Sequence, residues 1–105
     1  MTAGRLEGAA RKFERAVSLE IRRARERAGA PRSRLARATG MTEKAFAELE
    51  AGRRALRLGM LYSAAIAIGV DVEDLLIAAR RRMTAEDGSV GKTPHPVGAK
   101  RLAED

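Results

Sequence analysis

The sequence predicts an all-α chain of five helices, and three observations carry that prediction. Of its 105 residues 45% are apolar, mostly Ala and Leu, with only Phe13, Phe46 and Tyr62 aromatic; this favours closely packed helices over strands. Apolar residues recur at spacings of three and four between residues 5 and 82, which is the helical period. Gly29, Gly40, Gly52 and Gly69 each close one of these stretches, where a helix ends on a left-handed residue. No strand-length alternation and no solenoid-period repeat is present.

The first helix is expected from about Arg5 to Ala28, with Leu6, Ala10, Phe13, Val17, Ile21, Ala24 and Ala28 on one stripe. The second is short, about 32–38, turning Leu35 and Ala36 inward behind Pro31, whose missing N–H costs little at a first turn. The third is expected over about 43–51, capped by Thr42, with Phe46 and Leu49 facing the core. The fourth, about 58–68, turns in Leu61, Ala64, Ala65 and Ile68. The fifth, about 72–82, turns in Leu75, Leu76 and Ala79, while Glu73 and Asp74 suit the positive end of its dipole. Tyr62 is expected at the edge of the core. From Thr84 on, glycines and prolines lie among polar residues with no apolar period, as in a flexible tail. The organisation expected is a helical extension over 1–16, a domain over 17–82 and a tail over 83–105.

Composition narrows the function. With no cysteine, disulfides, thiolate metal sites and a Cys nucleophile are excluded. The single histidine, His95, lies in the tail without partners for a metal or catalytic role. No phosphate-cradling glycine loop or nucleophile constellation occurs, so neither an enzyme nor a bound cofactor is expected. The longest uncharged run, 58–70, is shorter than the roughly 20 residues that cross a bilayer. Arg5 and Glu7 interrupt any export signal, so a cytoplasmic protein is expected. Lys and Arg number 21 against 14 acids, a net charge of +7, which favours an anionic partner such as nucleic acid.

Helix two, the turn at Gly40 and helix three have the proportions of a helix-turn-helix: Ala36 lets the helices approach, Gly40 permits the bend and Leu49 anchors the outer helix. Several further pieces follow in order: Ile21-Arg22 with Arg25 before Gly29, Leu35-Ala36, Gly40-Met41-Thr42, Leu49-Glu50 with Gly52-Arg53-Arg54, Leu61 through Ala65, Ile68-Gly69-Val70, and Leu75-Leu76. Over residues 17–76 the chain thereby resembles the helix-turn-helix domain of phage repressors and Cro proteins, the XRE type. The resemblance implies a five-helix repressor-like fold that binds double-stranded DNA through the major groove, as a transcriptional regulator of repressor type acting as a dimer on a two-fold operator.

The resemblance also implies roles for residues. Arg32 stands where the family usually has a Gln on a phosphate. Thr42, Glu43, Lys44, Ala45 and Glu48 occupy the base-reading positions; Lys44 can donate to guanine, and Glu43 or Glu48 can accept from cytosine N4. Ala51 replaces an Asn often seen at the following loop, leaving Arg53 and Arg54 to grip the backbone. Residues 41–52 hold three acids, Glu43, Glu48 and Glu50, against Lys44. Arg32, Arg34 and Arg37 on one side and Arg53, Arg54 and Arg57 on the other make basic flanks. Arg32 is expected to pair with Glu43, and Glu50 to be structural. A protein-interaction module on the same fold, an antitoxin-like or corepressor-like subunit gripping its partner through the N-terminal arm or the tail, is the alternative the acidic face favours.

For the dimer, Leu6, Ala10 and Phe13 on the arm form an apolar stripe for which a five-helix core has little space and which suits a second copy of the chain, the alternative being that Phe13 folds back on its own core; Ile66 and Ile77 on helices four and five lie where periodicity places them outside the core.

Overall fold

Among the described residues five helices follow one another with short connections: α1 (Ala3–Ala28), α2 (Arg32–Thr39), α3 (Glu43–Glu50), α4 (Leu58–Ile68) and α5 (Val72–Glu86). They come from a computed structural model that describes residues 3–86, with side chains from Leu6 onward. The four glycines expected to close helices take φ between 68° and 90°. At Gly40 this left-handed turn lets the Gly40 N–H reach the Arg37 carbonyl and the Met41 N–H reach the Ala36 carbonyl, 2.8 Å away, which satisfies the open end of α2.

The helices converge on a core of Val17, Ile21 and Ala24 from α1, Leu35 and Ala36 from α2, Phe46 and Leu49 from α3, Leu61, Ala64 and Ala65 from α4, and Leu75 and Ala79 from α5. α1 is the spine, packing along α5 and touching α3 and α4, while α2 lies against both α3 and α4. Phe46, fully buried, is the largest anchor, and a side chain of that kind contributes about 1.5–3 kcal/mol by leaving water.

Two long ties hold α1 in place. The Glu14 carboxylate accepts the backbone N–H of Leu56, joining the front of α1 to the loop before α4. The buried Glu20 carboxylate accepts from Arg82 Nε at 2.7 Å, joining α1 to α5.

The structure departs from expectation at three places. Phe13 does not share an exposed stripe with Leu6: it is half-buried and packs against the core, because α1 is drawn over the loop at Leu56. Tyr62 is 61% exposed rather than at the core edge. The helix α5 runs to Glu86, beyond the boundary expected at 82, since Met, Ala and Glu prolong a helix readily. Beyond Glu86 the expected tail, with His95, lies outside the described residues. Leu6, Ile66 and Ile77 are exposed as expected.

Candidate nucleic-acid interface

The third helix is fastened from its inner side and left open on its outer side. Phe46 and Leu49 are fully buried and Glu50 is 4% exposed. Spaced at i, i+3 and i+4, they form one face, so the intervening positions must face away. Thr42, Glu43 and Lys44 are exposed, and Ala45, Ala47 and Glu48 are partly so. At the start of the helix the Thr42 hydroxyl accepts the Ala45 N–H at 3.0 Å, with Thr42 in an extended conformation. This is a side-chain N-cap, as the sequence predicts, and it satisfies a backbone donor that the helix leaves open.

Glu50 holds the helix to its neighbours. Arg25 of α1 donates to it twice, Nε to Oε2 at 2.6 Å and Nη2 to Oε1 at 3.1 Å. Arg25 Nη1 also donates to the Ala30 carbonyl, which fixes the α1–α2 turn. The hydrogen bond to Glu50 holds the Arg25 guanidinium above its ordinary range; burial opposes this, and the Glu50 and Glu26 charges add to it. The Arg25 guanidinium therefore stays charged.

Arg32 completes this cluster. Its Nε donates to Glu50 Oε1 at 3.1 Å, so its partner is Glu50 and not Glu43. The physical reason is burial: Glu50 sits out of water and draws cations, while Glu43 is solvated. The bond uses one of the five guanidinium N–H donors, and the Arg32 side chain remains 40% exposed.

Two predicted roles meet on one contact. Arg54 Nη2 and Glu48 Oε1 are 3.2 Å apart, in side chains 47% and 35% exposed. A pair so open to water contributes about 0–1 kcal/mol, so either member can be drawn off by a phosphate or a base. Arg34, Arg37, Arg53 and Arg57 are exposed, and none has an ion pair among the described residues. The outward start of α3 is thus an acid–base–acid strip, Glu43, Lys44 and Glu48, set between arginines from α2 and from the loop after α3. Sequence reasoning missed that Arg25 organises the site. The signal for it was the place of Glu50 on the buried face, because a carboxylate there requires a cation.

The described residues contain no cluster of three or more potential metal ligands. Nor do they contain a helix long and apolar enough to cross a membrane.

Comparison with known proteins places this arrangement. Residues 16–76 match a family model described as a helix-turn-helix domain. A comparison with curated proteins finds no match. Among solved structures, one crystal structure of the clp gene regulator ClgR from C. glutamicum is similar at 31% identity and a TM-score of 0.64, over 68% of this chain and 92% of that one. A second ClgR structure, from Corynebacterium glutamicum, is similar at 29% identity and a TM-score of 0.68, over 72% of this chain and 81% of the other.

Proposed function

The chain belongs to the helix-turn-helix domain family, and we propose that it is a DNA-binding transcriptional regulator of repressor type that reads a two-fold operator as a dimer. The observation that carries the reading is the Thr42-capped α3, with Glu43 and Lys44 outward and Phe46 and Leu49 fully buried behind them. The N-terminal half of such a helix is what enters the major groove. Arg32, Arg34, Arg53 and Arg54 would hold the phosphates on either side, and Thr42, Glu43, Lys44 and Glu48 would meet base edges. The similar structures, both of the clp gene regulator ClgR, support the same role. The protein would do no chemistry, need no cofactor and work in the cytoplasm.

For the dimer, α4 supplies more than the sequence reading found. Leu58, Tyr62 and Ile66 are 80%, 61% and 62% exposed. They are spaced at i, i+4 and i+8, so they share one face. Together with Ile77, half exposed on α5, they are apolar surface suited to a second copy. Leu6 on α1 would be a lesser contributor.

The acids favour a second reading, a protein-interaction module on the same fold, since Glu48 holds one of the grip arginines. Anisotropy or gel-shift titration against DNA upstream of the protein's own gene, across several salt concentrations, separates the two. The regulator prefers its own operator over a scrambled duplex. Weak binding indifferent to sequence at every salt concentration would favour the module.

A further inference from the structure

A groove of about 630 Å³ lies between the front of α1 and the turn that follows α3. Its walls carry four arginines, Arg11 and Arg15 from α1 and Arg53 and Arg54 from the turn, against two glutamates, Glu7 and Glu14. We propose that this groove receives the phosphodiester backbone of duplex DNA, with Arg11 and Arg15 extending the contact made by Arg53 and Arg54. The proposal rests on the DNA-binding reading above and adds a second wall to it. Arg11 and Arg15 precede residue 16, where the family match begins, so this wall of the groove belongs to the arm, while Arg53 and Arg54 on the facing wall lie in the shared domain.

Three features build the groove. Glu14 is committed to the Leu56 N–H, which locks α1 against the loop and occupies one of the two acids. Gly52 has no side chain, and a Cβ there would lie 3.1 Å from Arg15 Cγ; the stem of Arg15 therefore rests on the end of α3 and carries its charge next to Arg53 and Arg54. Arg11, Arg15 and Arg53 are exposed, with no ion pair among the described residues. Uncommitted guanidinium groups converging on one groove are suited to phosphate oxygens.

The location fits the partner. An eight-residue helix is about 12 Å long, the width of the major groove. When α3 lies across that groove, the turn after it meets the sugar–phosphate wall, and the arginine groove opens at that turn.

The test is fluorescence anisotropy with the full chain, on the DNA upstream of the protein's own gene and on a scrambled duplex of equal length, over a series of salt concentrations. Each phosphate contact contributes about 0.9 to the slope of log affinity against log salt. The R11Q/R15Q variant is expected to bind both duplexes more weakly and to lower the slope by roughly two units, while its preferred motif stays the same. The R23Q/R27Q variant removes equal charge from a different face of α1, lined by Arg81 and Arg82, and is expected to keep the wild-type slope. If R11Q/R15Q keeps the wild-type slope, or R23Q/R27Q loses as much, the groove is not a phosphate site, although the DNA-binding reading survives. If the wild type binds no duplex at all, both fall. All four positions are exposed, so an unchanged thermal midpoint confirms that both variants remain folded.

Discussion

Arg25 and Glu50, 25 residues apart in sequence, meet through two parallel hydrogen bonds of 2.6 and 3.1 Å with both side chains nearly closed to water. Through this contact α1 sets the position of α3, so the outward face of α3 depends on a pair buried behind it. A charge left alone in such a place is expensive, because neither water nor a counterion reaches it.

Glu50→Ala strands Arg25 and should cost about 3–5 kcal/mol of stability. At roughly 4–8 °C per kcal/mol for a domain of this size, the melting midpoint should fall by more than about 10 °C. Removing both partners, as Arg25→Met with Glu50→Leu, should cost less than the single change, because no buried charge is left unpaired, and Arg32, 40% exposed, is served by water. Calorimetry on the three proteins decides it; a double variant worse than E50A would show that packing rather than charge dominates. The sign of the pH dependence is also defined. Arg25 is raised above its usual value, so its contribution is fully present below the unfolded value and is lost only as pH rises through the folded one. Near neutral pH the difference between wild type and R25M should therefore be flat.

Thr42→Ala removes the acceptor of the Ala45 N–H and should cost about 0.5–2 kcal/mol. Thr42→Ser keeps an oxygen in place and should cost much less. Hydrogen exchange at Ala45 should quicken in the first variant and not in the second. Equal exchange in both would mean that water already serves that amide.

The apolar residues on α4 and α5 make a prediction that differs from the one for the arm. Tyr62→Glu with Ile66→Asp should convert the protein to monomer, read by light scattering, with its melting behaviour at low concentration unchanged, since both side chains are exposed. Phe13→Asp should instead lower stability, because Phe13 packs against the core of its own chain. A wild type that is already monomeric would remove the proposed seam.

Which of these features the sequence could show follows from how local they are. The Thr42 cap and the helix-closing glycines act within a few residues, so the pattern of neighbours predicts them. The Glu14 tie to Leu56 spans 42 positions and exists only once α1 has been laid across the loop. That crossing is also why Phe13 turns inward; its spacing to Val17 and Ile21 extends the core stripe, and the stripe alone does not say where the core ends. Glu50 was legible in part. Its place on the face of Phe46 and Leu49 marks it as buried, and the rule that buried carboxylates need cations would have sent Arg32 to it rather than to Glu43. The Arg54–Glu48 contact bridges the turn at Gly52, and no helical period reaches across a turn.

That contact changes what the outward face of α3 should do. Glu43, Lys44 and Glu48 lie one, two and six residues after Thr42, on the outward side of α3. A carboxylate there is repelled by phosphates, so it is tolerated where a base donor meets it, and cytosine N4 is the donor that the major groove offers. Glu43 is exposed and has no ion pair among the described residues. Glu43→Gln should therefore alter the preferred base at one position by about 1–3 kcal/mol, and Lys44→Ala should relax a guanine preference. Glu48 differs because it holds Arg54 at 3.2 Å. Glu48→Gln should release that arginine to the backbone as well as alter base choice, so affinity for every duplex should rise and the salt slope should steepen by up to roughly one unit. Arg54→Ala should cancel that rise when added to E48Q, and should leave the effect of E43Q untouched. Randomised-site selection on each variant, followed by salt titration on one fixed duplex, measures both quantities. If every variant returns the wild-type motif, α3 is not the reading element, and its acids are better explained by a basic protein partner on the same face.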